Sequence, residues 1–194
     1  MGEDKSNIYK TVLISEEQKS KWIAAGGDPN KSVIIPVPVE VPDYGTESYI
    51  EEFGWEDKFV FGMHQRDDIH IFSPVPLEAY DDIQDEDTAF LILGGSANHR
   101  KQAKDYQLKN VKFLDTTSDI SLIHKFLNTL NVYAHGRSDG EQCSSAIIEG
   151  LSHSLPMISH TAVSMGQLEQ IGDAGIVVDG YEEYAQAMKN MIHN

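Results

Sequence analysis

From Lys58 onward the sequence repeats one unit: a short apolar run, a polar or glycine-bearing loop, and a segment with helical periodicity. The apolar runs Phe59–Phe61, Ala89–Leu93, Val111–Leu114, Val132–His135, Met157–Ser159 and Ile176–Val178 are short and rich in β-branched and aromatic residues, which predicts strands. Between and after them, helices are expected over Leu77–Ile83, Arg100–Tyr106, Ile120–Leu130, Ser145–Ser154, Gly166–Ile171 and Tyr181–Ile192. Strands separated by helices join in parallel through crossovers and are buried on both faces. The expected class is therefore α/β, a doubly wound, mostly parallel sheet with helices on both faces. Ligands of such sheets sit beyond the carboxyl ends of the strands, so the loops after strands are where chemistry is sought.

Ahead of this repeat, Ile8–Ser15 reads as a strand, Ser15 caps a helix reaching Trp22–Ala25, and Gly26-Gly27 ends it. A second short strand is expected over Ser32–Val37, and the prolines at 36, 38 and 42 keep the next segment extended, as in a linker. The 194 residues suffice for one large domain or a domain with an appendage. A formal charge of −16 argues against a nucleic-acid-binding surface, which needs clustered Lys and Arg, but leaves room for a ligand with a few phosphates. The single cysteine, Cys143, excludes an internal disulfide and suits a reducing compartment. Residues 1–7 are acidic and polar, unlike a signal peptide, and no run of about 20 apolar residues exists to cross a membrane. A cytoplasmic location is the expectation; Met1-Gly2 with Ser6 is a minimal myristoylation pattern.

The loop and helix start from Gly136 to Gly150 carry the strongest local signal. Ser144 or Ser145 caps a helix whose first-turn N–H groups have no intrahelical acceptor and carry partial positive charge. A diphosphate can rest there without a basic side chain. Ile147, Gly150, Leu151 and Ser154 follow the spacing of a face packed on a sheet, and Gly150 permits close approach. Glu149 falls off that face, in a polar stripe with Ser145 and His153, roughly 7 Å beyond the capping residue. A carboxylate so placed can accept hydrogen bonds from a ribose diol, while Glu141 in the loop faces whatever hangs from the far phosphate. The alternative is a carboxylate pair merely favoured by the helix dipole.

Other loops add candidates. Arg66 follows the Phe59 strand, and its planar guanidinium suits phosphate, although Asp67 and Asp68 offer it ordinary ion pairs. His64 either supplies a further donor or is structural. Gly94-Gly95 lacks the third glycine of a dinucleotide fingerprint, leaving phosphate approach and a tight turn both open. No His/Cys cluster has metal-ligand spacing and no Asp-x-Asp occurs, so no metal is expected; His153 and His160 read as core-edge or surface residues, and Tyr133 and Phe126 as core. Ser144 lacks the elbow of a serine nucleophile.

The pair Glu141 and Glu149, separated by seven residues, followed by Leu155-Pro156-Met157-Ile158 and by the segment from Met165 to Val178, resembles the donor-site signature of family 4 retaining glycosyltransferases of GT-B fold. The resemblance implies a Rossmann-like domain, one half of a GT-B fold, over residues 43–194. Residues 1–42 would be a remnant of the first domain and the interdomain linker, with most of that first domain lying outside this chain; an extra edge unit on a single domain is the alternative. It implies that Glu149 binds ribose, that Glu141 meets the donor sugar as the catalytic-site carboxylate, and that Ser144, Ser145 and Ala146 contact phosphate through their backbone. Arg66 would hold the diphosphate, without the lysine common several residues later, where this chain has His70-Ile71-Phe72-Ser73. The base would be read by backbone groups near Phe113 and Leu114. The implied reaction is metal-independent transfer of a hexose, with retention, from a nucleotide sugar to a glycan or other acceptor. GDP-mannose is favoured as donor and no further cofactor is required. A non-catalytic nucleotide-binding or interaction module and a sugar-nucleotide epimerase of GT-B fold are the alternatives. Phe59–Asp68 and Leu155–Asp179 also resemble glycosyltransferases of large algal viruses.

Overall fold

A computed structural model describes residues 9–39 and 45–193. The expected junction near Pro42 and the Met1-Gly2 pattern lie outside the described residues. The chain begins with strand β1 (Thr11–Leu13), helix α1 (Glu16–Ala24) and strand β2 (Ser32–Ile34). Ser15 caps α1, its hydroxyl accepting from the Gln18 N–H, as its place before Glu16-Glu17 predicts. Strands β1 and β2 pair in parallel as a two-stranded sheet of their own, with Val12 beside Val33 and both exposed. After a one-turn helix α2 (Ile50–Phe53), which the sequence did not announce, comes the main body.

That body runs β3 (Phe59–Gln65), α3 (Val75–Asp81), β4 (Thr88–Gly94), α4 (Ala97–Asp105), β5 (Val111–Leu114), α5 (Ile120–Leu127) and β6 (Val132–Ala134). It continues through β7 (Gly140–Glu141), α6 (Ser145–Ser152), β8 (Met157–His160), β9 (Ser164–Met165), α7 (Gly166–Ile171), β10 (Gly175–Val178) and α8 (Gly180–His193). Six strands form one parallel sheet in the order β10-β8-β6-β3-β4-β5. Relabelled by their order in the chain, these are strands 6-5-4-1-2-3, the doubly wound order of a Rossmann-type sheet. Right-handed crossovers then place α3 and α4 on one face and α5 and α6 on the other, with α8 returning to pack on α3. Val60, Phe61, Met63, Phe90, Leu91, Ile92, Tyr133 and Met157 are buried between the layers.

The differences from the sequence expectation have local causes. Strand β3 extends to Gln65 although Gly62-Met63-His64-Gln65 reads as loop, because the β4 ladder continues past Gly62 and polar side chains do not prevent it: His64 pairs with Leu93 and Gln65 with Gly94. Helix α3 starts earlier than Leu77, since Pro76 fits a first helical turn. Helix α4 starts before Arg100, where His99 Nδ1 accepts from the Ser96 N–H at 3.1 Å. Helix α6 ends at Ser152; Ser154 lies beyond it with φ 59° and is exposed, so it is not part of the packing face. Ile147 and Gly150 are, and a Cβ on Gly150 would stand 2.5 Å from Met157 Cε. Gly94 and Gly95 adopt positive φ as a tight turn, with the Gly95 N–H donating to Gln65 O at 2.7 Å. Strands β7 and β9, each two residues, pair in parallel and were not foreseen.

Candidate functional site

The order of the sheet makes β3 and β6 neighbours whose onward connections diverge to opposite faces. A crevice forms at such a point. Here it is a cavity of about 460 Å³, bounded by the end of β3, the loop after β6, Thr116 and Thr117 after β5, and the segment that opens α6. That volume suits a small organic ligand.

Helix α6 points its first turn at this space. Ser144 is the capping residue, with extended backbone (φ −102°, ψ 122°), and its Oγ accepts from the Ile147 N–H at 3.5 Å. This decides between the two serines. The Ser144 N–H, however, donates to Gln170 Oε1 at 2.7 Å, and Gln170 Nε2 returns a bond to Ser144 O at 3.1 Å. A side chain of α7 thus clamps the cap, and Ser145 and Ala146 are left as the first-turn residues on the cavity wall, where a helix has no acceptor of its own for their N–H groups.

Glu149 lines the cavity from the second turn of α6. Its Oε2 lies 2.7 Å from His64 Nε2 at the end of β3. A carboxylate only accepts, so Nε2 carries the proton. The His64 ring stands edge-on to Phe126 and Tyr133, and the Tyr133 hydroxyl lies 3.1 Å from Nδ1. The same hydroxyl accepts from the His64 N–H at 3.2 Å and reaches His64 O at 3.3 Å. Complete burial pushes the Tyr133 phenol well above its ordinary pKa, so it remains protonated at neutral pH.

Glu141 is held differently. It sits in β7, whose pairing sets Gly140 beside Ser164 and Glu141 beside Met165. Gly140 has φ +74°, and a Cβ there would stand 1.9 Å from Ser164 O, so the bridge requires glycine. The Glu141 side chain is 12% exposed, with Oε1 3.2 Å from Arg137 Nη1 and 3.6 Å from His135 Nε2. Burial pushes its carboxyl pKa up, but the bond and charge of His135 and the charge of Arg137 outweigh that and hold it below the usual value. Arg137 also pairs with Asp139, through Nε at 2.6 Å and Nη2 at 2.9 Å. These bonds and the neighbouring carboxylates raise its pKa further, so it stays charged. His135 Nδ1 meets Ser159 Oγ at 2.8 Å, which fixes the ring.

The structure brings Arg66, Glu141, Ser144, Ser145, Ala146 and Glu149 to one cavity, although they come from two separate stretches of chain. Arg66 is 67% exposed and pairs with Asp68 at 3.3 Å, so the ordinary ion pair is present, and the residue also lines the cavity. Phe113 and Leu114 do not line the cavity: they pair with Ile92 and Leu93 in the sheet, and Arg100 covers the Phe113 ring at 4.6 Å. Thr116 and Thr117, just beyond them, take that wall. Arg137 and His135 were not singled out by the sequence reading; the signal was their place directly after a buried strand, in the loop class where ligands bind. His160 is buried with Nε2 2.7 Å from Ser73 Oγ, and His153 bonds His124 at 2.9 Å, with its pKa pushed down to about 4 by burial and by that second imidazole. No group of three His, Cys, Asp or Glu side chains gathers as a metal site among the described residues.

Strand order, switch-point cavity and helix start together define a Rossmann-like half of a GT-B fold. The model of the family described as glycosyl transferases group 1 matches residues 61–194, and the chain belongs to that family. HepE of Anabaena in complex with UDP has a similar structure, with TM-score 0.82 at 18% identity over 95% of this chain and 54% of that one. The same protein in complex with UDP-glucose gives TM-score 0.79 at 18% identity, with the same coverage of 95% and 54%. A glycosyltransferase from Rickettsia africae gives TM-score 0.83 at 18% identity over 98% of this chain and 55% of that one. At these identities the likeness defines the fold, and this chain spans about half the length of those structures. No curated protein matches it in sequence. No helix among the described residues is long and apolar enough to cross a membrane.

Proposed function

We propose that this chain is the donor half of a retaining hexosyltransferase of family 4 type, binding a nucleoside-diphosphate sugar in the cavity between β3 and β6. The observation that carries the reading is the convergence of Glu149, Glu141 and the α6 first turn on that one cavity. In this reading Glu149 accepts hydrogen bonds from the ribose, the Ser145 and Ala146 N–H groups meet phosphate, and Glu141 positions the sugar. Arg66 at the rim and Arg137 on the inner wall supply the positive charge that the missing lysine would have given. In the reaction the bond from the anomeric carbon to the β-phosphate oxygen breaks, a bond to the acceptor oxygen forms on the same face of the sugar, and the acceptor's hydroxyl proton passes to the departing diphosphate. The helix end and the two arginines stabilise charge on the departing diphosphate, which is work a divalent ion does elsewhere, so metal-independent transfer is part of the proposal.

The donor base stays between two sources. The sequence resemblance favours GDP-mannose, whereas HepE of similar fold is described with UDP and UDP-glucose. Residues 1–42 and 43–194 are assigned to a remnant of the first domain and to the donor domain. The Val12 and Val33 side chains of the small parallel sheet are exposed, although parallel strands are ordinarily covered on both faces, which supports a further domain over them that carries the acceptor site. Calorimetric titration with UDP, GDP, UDP-glucose and GDP-mannose, with and without magnesium, tests the reading. Saturable binding of one nucleotide class, equal in both conditions, is expected; no binding by any of the four would overturn it.

A further inference from the structure

We propose that His64 is a positioning residue that fixes the Glu149 carboxylate for recognition of the ribose hydroxyls, and that Tyr133 in turn fixes His64; this rests on the donor-site reading above. The argument starts from geometry. His64 Nε2 donates to Glu149 Oε2 at 2.7 Å, and Glu149, which lines the cavity, keeps acceptor capacity on Oε1 and on the second lone pair of Oε2. Glutamate has three side-chain torsions, and on an exposed helix face it would populate several rotamers. One charge-assisted hydrogen bond from a ring that is itself held selects one of them.

The ring is held on every side. His64 belongs to β3, the central strand of the sheet, so its backbone moves with the core. Phe126 from α5 and Tyr133 from β6 pack edge-on against the imidazole at 5.7 and 5.5 Å. The Tyr133 hydroxyl stands 3.1 Å from Nδ1 and bonds the His64 backbone. With Nε2–H committed to the carboxylate, Nδ1 is left to pair with the phenol, whose hydroxyl is the donor that matches an acceptor nitrogen. The chain Tyr133, His64, Glu149 thus repeats the arrangement by which an outer residue orients an inner one at many sites. A residue serving only to fill the core would not need a nitrogen directed at the cavity carboxylate.

The inference separates from a purely structural role through the ribose itself. Wild-type chain is titrated with UDP and with 2′-deoxy-UDP, and likewise with GDP and 2′-deoxy-GDP. Glu149 held in place gives a preference for the ribonucleotide of about tenfold or more, which is what one charge-assisted hydrogen bond provides. In His64→Leu that preference should fall to about threefold or less, while in His64→Gln it should return, because the glutamine amide nitrogen reaches the place of Nε2 and donates without an imidazole. Tyr133→Phe should lower the preference to an intermediate value. Thermal melts of each variant show whether the fold is intact, and the ratio of the two affinities is unaffected by a general loss of folded protein. Undiminished preference in His64→Leu, or equal loss in His64→Gln, would overturn the proposal while leaving the donor site standing. Absence of nucleotide binding in the wild type would instead remove the donor-site reading and this inference with it.

Discussion

Glu141 and Glu149 stand on the same cavity but are built in different ways. Glu149 is placed by helical periodicity: once Ser144 caps α6, a residue five positions on must point off the packed face, and it remains 29% exposed with a single imidazole partner. Glu141 is placed by a two-residue strand that exists only because Ser164 and Met165 come alongside, and it is 12% exposed beside Arg137 and His135. The first carboxylate is held through one imidazole and is partly open to solvent. The second is mostly buried and held ionised by Arg137 and His135. A single site thus takes one group from local structure and one from tertiary pairing.

Removing each support separately should break this comparison at a different point. Glu149→Ala should have the largest effect, lowering nucleotide affinity by roughly 3–6 kcal/mol if two charge-assisted bonds to the ribose are lost, with little change in thermal stability. Calorimetry reads it directly, and unchanged affinity would take Glu149 out of the site. Gly140→Val should reverse that pattern. A side chain at φ +74° set against Ser164 O should destabilise the fold by about 2–4 kcal/mol and detach Glu141 from its partners. Urea unfolding would show this, and a wild-type midpoint would mean that the β7–β9 bridge is dispensable.

A smaller effect concerns acid. Because the folded state holds the Glu141 pKa below its unfolded value, its contribution to stability is complete above the ordinary carboxylate range and is lost as pH falls through the folded value. Arg137→Gln removes one of the groups that lower it, so the variant should start less stable at neutral pH and show a flatter acid limb. Stability measured from pH 7 down to pH 3 checks this; an acid limb as steep as the wild type would assign the lowering to His135 and Ser144.

Much of the fold could be read from the chain. The six apolar runs from Phe59 to Val178 each became a strand of the central sheet, because buried parallel strands leave an apolar signature that does not depend on their neighbours. Helix α7 began and ended as expected, and Ser15 capped α1 as its sequence context required. What failed was set by distant contacts. His64 and Gln65 read as loop because their polarity was weighed without the β4 ladder that continues alongside them. For the base, the resemblance pointed to backbone groups near Phe113 and Leu114; Thr116 and Thr117, just beyond them, line the cavity. Arg137 carried no pattern of its own, since an arginine between a glycine and a serine is compatible with any solvated loop.

The sequence by itself determined the alternation of strands and helices, a serine cap at the start of α6 without choosing between Ser144 and Ser145, and the outward face of Glu149, because each depends on residues within a few positions of one another. Only the tertiary structure decided that Arg66, Thr116, Arg137, Glu141 and Glu149 share one cavity, that Gln170 occupies the Ser144 N–H, and that His64 grips Glu149. These contacts join residues up to 85 positions apart. Such separations are closed by the crossover geometry of the sheet, which no local periodicity encodes.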